Sequence, residues 1–82
     1  MKDLKSLRNA INTIDDEIMA LFEQRFTLVK TIGSLKQSNM VPVEDNSREN
    51  EILNKVSTFD YKSEIKTIYN TVFTVSKNLQ RK

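Results

Sequence analysis

Eighty-two residues without a cysteine or a histidine exclude disulfide staples, thiolate nucleophiles, imidazole bases and the usual soft-metal ligands together, which leaves carboxylates, cations and amides to do any chemistry. Thirteen basic residues against eleven acidic ones give a net charge of +2. That is a small excess of interspersed charge rather than a basic face, and it argues against a nucleic-acid partner.

The length reads as one domain, 1–82, at the small end of what folds alone, where a monomer is marginal. The opening Met1-Lys2-Asp3-Leu4-Lys5 lacks the apolar core of a signal peptide, and no apolar run approaches the ~18 residues of a membrane helix. These features predict a cytoplasmic protein that makes no use of a membrane. A single glycine and a single proline, with no period-two alternation, leave helices as the only regular element, so the predicted class is all-α.

In chain order, Leu4, Leu7, Ile11, Ile14, Ile18, Leu21, Leu28, Ile32 and Leu35 recur at steps of three and four. They predict one helix from about Asp3 to Lys36, roughly 50 Å long at ~1.5 Å per residue. Asn39, Pro42 and Asp45-Asn46-Ser47 mark a polar connection. A second helix then begins near Ser47, signalled by a capping-box-like pairing of Asn46 with Glu49 and by an acidic first turn. Ile52, Leu53 and Val56 form its short apolar side. Ser57 to Ser63 reads as a second connection, in which Phe59 and Tyr61 are expected to plug the core. Ile65, Ile68, Val72, Val75 and Leu79 then restore the helical spacing in a third helix.

Two short helices cannot cover a seam of about 50 Å, so the long helix calls for a partner, and a homodimer with the long helices packed together is the natural solution. One position breaks the apolar rule of that seam. Arg25 stands where a leucine is expected, and burying a guanidinium there costs several kcal/mol unless an anion meets it or its stem carries the charge out to water. Lys36 lies three turns and only about 20° beyond Arg25, so both cations can lean toward one spot. Ser76 and Gln80 stack on one face of the third helix, and Asp45, Arg48 and Glu49 gather where the second helix begins. Each group alone has an ordinary explanation in capping, dipole complementation or solvated charge, and a plain coiled-coil dimerisation module would tolerate one polar seam residue. Gly33 inside the first helix points to close approach of a backbone or a ligand. Asp15, Asp16 and Glu17 read as a solvated patch.

The ordered set Leu7-Arg8-Asn9-Ala10-Ile11-Asn12-Thr13-Ile14-Asp15, Arg25, Ile32-Gly33-Ser34-Leu35-Lys36, Pro42-Val43-Glu44-Asp45-Asn46-Ser47-Arg48-Glu49, and Ser76 with Gln80 resembles the all-helical class of chorismate mutases. The resemblance implies an intertwined homodimer of three-helix chains and the rearrangement of chorismate to prephenate, on the route to phenylalanine and tyrosine. Such a reaction is intramolecular and requires no nucleophile, metal or cofactor. Carried over by position, Arg25 and an Arg8 reaching in from the other subunit would bind the two substrate carboxylates. Lys36 and Gln80 would donate to the breaking ether oxygen. Glu49, with Asp45 and Arg48 nearby, would take the ring hydroxyl, and Ser76 would assist a carboxylate. An isochorismate pyruvate-lyase of the same fold, or an inactive dimerisation or regulatory module, are the alternatives the residues leave open.

Overall fold

The structure, a computed structural model, describes residues 3–81. Met1, Lys2 and Lys82, the first two of which belong to the segment read above for a signal peptide, lie outside the described residues. The described chain is all-helical: α1 (Leu4–Ser38), α2 (Asn46–Val56) and α3 (Lys62–Gln80). No helix among the described residues is long and apolar enough to cross a membrane.

Each start and stop has a local cause. Asp3 caps α1, its carboxylate accepting from the Ser6 N–H at 2.8 Å, which satisfies one of the donors a helix leaves unpaired at its first turn. The helix runs two residues past the predicted Lys36, to Ser38. There the Val41 N–H reaches back to the Lys36 carbonyl at 2.8 Å, with Met40 in the left-handed region at φ 58°. This closes the helix in the manner of an αL terminus. Asp45, rather than the predicted Asn46, caps α2, because its carboxylate accepts from the Arg48 N–H at 3.0 Å. The capping-box-like pairing of Asn46 with Glu49 is therefore replaced by a simple aspartate cap one residue earlier, and Glu49 is released for another partner. The second connection is shorter than predicted, since α3 has already begun at Lys62.

The packing divides the surface of α1 into two strips. α3 packs along α1, and α2 packs on α3. The face that α1 turns to α3 is not the apolar stripe but the strip beside it. Val29 and Gly33 are buried, while Phe22, Arg25, Phe26 and Lys36 are half-buried. Phe22 and Phe26, one turn apart, stack with centroids 5.8 Å apart. From α2 and α3, Val56, Val72, Phe73 and Ser76 complete the buried set. All nine apolar residues of the predicted stripe stay exposed, from 41% at Ile18 to 64% at Leu28. The expected aromatic plug is also absent, because Phe59 is 58% and Tyr61 73% exposed in the turn before α3.

The result is an elongated chain. It measures 57 × 24 × 14 Å with a radius of gyration of 16.1 Å, against about 12 Å for a compact domain of this length. The first half of α1 extends as an arm with every side chain from Asp3 to Ala20 exposed.

Candidate functional site

The arginine that interrupts the apolar stripe sits on the border between the strip facing α3 and the strip left bare, and its anchoring partner is on α3. Arg25 donates through Nη1 to the Ser76 Oγ at 2.6 Å, and the Ser76 hydroxyl donates in turn to the Val72 carbonyl at 2.6 Å. Ser76 is 5% exposed. A buried hydroxyl that has spent its proton on the helix can only accept, so it fixes the guanidinium through one N–H and leaves the other donors of the fork free.

Arg25 opens onto a cavity of about 390 Å³ between the three helices, within the size range of small-molecule sites. Lys36, Asp45, Arg48, Glu49, Ser76 and Gln80 line it as well, over an apolar floor that includes Val29, Ile52 and Phe73. Seven of the residues singled out from the sequence thus converge on one wall-to-wall site. Arg8 does not. It is exposed on the same helix as Arg25, about 25 Å away along the axis at ~1.5 Å per residue.

The polar groups are held, not loose. Lys36 donates to the Val43 carbonyl at 3.0 Å, tying the connection back to α1 with one of the three ammonium protons. Arg48 pairs with Glu51 at 3.2 Å, an exposed contact of small energetic weight. Asp45 is occupied as the α2 cap. The Gln80 amide oxygen is buried and finds no hydrogen-bond partner among the described residues. An unpaired buried amide group costs about 1–3 kcal/mol until it finds a partner. Because the amide's oxygen and nitrogen exchange on a half-turn of the group, that end of Gln80 is equally able to present N–H to a ligand oxygen.

Two features clarify what the sequence left open. A Cβ on Gly33 would stand 2.7 Å from the Gln80 Cα and 2.9 Å from its carbonyl oxygen. The glycine is therefore required by the backbone of α3, and the contact seats the last turn that carries Gln80 against α1. The residue that sequence reasoning missed is Lys77, which lines the cavity between Ser76 and Gln80. Its Nζ lies 3.2 Å from Glu49 and 3.3 Å from Glu44, and these carboxylates, Glu49 foremost, raise its pKa above the usual lysine value. The signal was present in its position, three residues before Gln80 on the same helical face.

A second cavity of about 380 Å³ opens beside the first, sharing Arg25 and Arg48 and floored by Ile52, Val56, Phe59, Ile65 and Tyr69. Among the described residues, no three histidine, cysteine or acidic side chains gather as a metal site.

Residues 7–81 match the family described as chorismate mutase type II. A bifunctional chorismate mutase/prephenate dehydratase of Aquifex aeolicus (strain VF5) is 37% identical over 73 residues, covering 89% of this chain and 19% of that protein. A second of the same name, from Buchnera aphidicola subsp. Schizaphis graminum (strain Sg), is 38% identical over 69 residues, covering 84% and 18%. The chain thus spans less than one fifth of the length of either relative. Among solved structures, a conserved hypothetical protein from Pyrococcus furiosus has a TM-score of 0.82 at 34% identity, covering 94% of this chain and 93% of that one.

Proposed function

The chain belongs to the chorismate mutase type II family, and from that premise we propose that its cavity converts chorismate to prephenate and that residues 1–82 form a single domain of that kind. The observation that carries the proposal is the convergence of Arg25, Lys36, Glu49, Ser76 and Gln80 on a single cavity. The chemistry fits the inventory. The rearrangement breaks an ether C–O bond and forms a C–C bond within one molecule, so the protein must hold a dianion in its compact reactive shape and stabilise the negative charge that develops on the ether oxygen.

Arg25, prepositioned by Ser76, holds one carboxylate with its remaining N–H groups, so Ser76 acts on that carboxylate through the guanidinium. Lys36 and Gln80 donate to the ether oxygen. Lysine contributes a charge that counts for more as the carbon–oxygen bond lengthens, and the unpaired Gln80 amide contributes a donor that needs no proton from solution. Glu49 accepts from the ring hydroxyl. Asp45 and Arg48 shape this end of the site, Asp45 chiefly by fixing the start of α2.

The second carboxylate needs another cation, and Arg8 of the same chain is out of reach. A second copy, packed along the bare stripe of α1, brings the arm of its own α1 to this region and with it Arg8 of the partner subunit. The second cavity, whose lining joins Ile52, Val56, Phe59, Ile65 and Tyr69 with Arg25, Arg48 and Lys55, offers that arm a seat. Each leucine or isoleucine covered in this way is worth about 1.5–3 kcal/mol when fully buried, which is the driving force for an intertwined homodimer.

The test is incubation of the purified protein with chorismate at neutral pH, with the product identified, beside a parallel incubation with isochorismate. Prephenate from chorismate is the expected result. Salicylate and pyruvate from isochorismate, with no prephenate, would move the assignment to a pyruvate-lyase, and no turnover by a folded dimer would leave a dimerisation module.

A further inference from the structure

Phe73, Ser76, Lys77 and Gln80 follow one another at helical spacing and all line the first cavity. Ser76 and Gln80 have roles in the proposal above, and Lys77 has none. Yet Lys77 is the most heavily engaged cation of the site. Its ammonium bridges Glu49 Oε2 at 3.2 Å and Glu44 Oε1 at 3.3 Å, and its side chain is 22% exposed, next to a Glu49 that is 24% exposed.

The arrangement solves a problem that the substrate class creates. A cavity built to receive a dianion contains, in Glu49, a carboxylate of the same sign. Left alone, that charge opposes the ligand that Arg25 and Lys36 attract, and like charges brought together in a partly desolvated site are strongly unfavourable. With Lys77 against Oε2, the glutamate's charge is balanced by a cation that lines the same cavity. One carboxylate oxygen is committed and the other is left to accept a hydrogen bond. The Glu44 contact holds the same lysine from the connection that precedes α2, so the ammonium is fixed from two directions.

We propose that Lys77 is the positioning residue for Glu49: it neutralises the glutamate toward an incoming dianion and leaves one of its oxygens for the ligand's hydroxyl, which makes a hydroxyl-bearing dicarboxylate the preferred ligand. The inference rests on the substrate assignment made above. Lys77 acts through Glu49 rather than on the reacting atoms.

The experiment is a kinetic cycle of Lys77→Met, Glu49→Gln and the double variant with chorismate, with Lys77→Arg and Glu44→Gln alongside. Lys77→Met is expected to raise KM about tenfold with a smaller change in kcat, as the loss of a ground-state charge balance requires. Lys77→Arg keeps the charge and is expected to restore most of the affinity. In the Glu49→Gln background no charge remains to be balanced, so Lys77→Met is expected to change KM by less than about twofold, the non-additivity of two groups in contact. Glu44→Gln removes one of the two contacts that hold the ammonium and is expected to raise KM by less than Lys77→Met does. An equal KM penalty in both backgrounds, or an unchanged KM in Lys77→Met, would overturn the proposal. Lys77→Gln serves in its place if the methionine variant does not fold.

Turnover by the unsubstituted protein is measured first, and its absence would count against the substrate assignment. The Lys77 inference is then read from calorimetric affinity for prephenate across the same variants, with the same pattern expected. Failure of every variant to bind that dianion would overturn both.

Discussion

In the proposed mechanism Lys36 and Gln80 bear on the rate most directly, and they are expected to fail differently when altered. Lys36→Ala removes a charged donor from the ether oxygen and is expected to lower kcat by at least about 10²-fold, the cost of losing one oxyanion-type donor. A loss confined to KM would mean that Lys36 only binds. Gln80 carries a donor that does not titrate, so activity should be nearly flat on the acid side of neutrality. Gln80→Glu substitutes a group that must be protonated to donate. Its activity should therefore decline as pH rises through the carboxyl's range, normally near ~4.3 and higher where the carboxyl is desolvated. A flat profile in that variant, followed from mildly acidic to neutral pH, would remove Gln80 from the mechanism. At this scale the residues that line the first cavity were partly readable in the sequence, because Arg25 broke an apolar period and Lys36, Ser76 and Gln80 fell at helical spacings, while their roles came from the family resemblance alone. Lys77 escaped notice for a physical reason. A lysine on a helix ordinarily projects into solvent, and only the folded approach of Glu44 and Glu49 turns it inward.

Among the elements, the contact between α1 and α3 at Gly33 is the point where fold and site meet. Gly33→Ala gains up to ~1 kcal/mol of helix propensity but drives a methyl into the Gln80 backbone, an overpacking that costs about 1–3 kcal/mol. The net expectation is a lower melting temperature together with a reduced kcat, since α3 must shift where it carries Gln80. An unchanged kcat in a destabilised variant would show that the last turn relaxes without moving the amide. Asp45→Ala removes the α2 cap and is expected to cost about 1 kcal/mol in thermal or denaturant unfolding. The three helices were legible because caps, a proline-marked connection and apolar spacing all act locally. The packing face of α1 was not. Two adjacent strips of the helix carry apolar residues, Phe22, Phe26 and Val29 on one and the long leucine and isoleucine series on the other, and spacing alone does not say which meets α3. The aromatic turn misled for a related reason: Phe59 and Tyr61 look like core residues, yet the turn leaves both exposed, with Phe59 among the residues that line the second cavity.

For the molecule as a whole, the exposed stripe and the distant Arg8 point the same way. A 35-residue helix with its longest apolar series bare is poorly suited to stand alone, and in the proposed dimer the arm of another copy adds Arg8 to the cations of the site. Ile14→Asp places a charge in the middle of the stripe and is expected to convert a dimer to a monomer by light scattering, with loss of turnover, because a buried unpaired carboxylate is strongly disfavoured. The central claim, a chorismate site completed by a second subunit, is tested most directly by subunit mixing. Arg8→Ala and Arg25→Ala are each expected to be nearly inactive. In a hybrid of the two, one site receives both defects and the other receives none, so random exchange of equal amounts should restore prephenate formation to about one quarter of the unsubstituted rate, as two-fold symmetry dictates. A mixture no more active than its parts, after exchange has been confirmed, would contradict the claim.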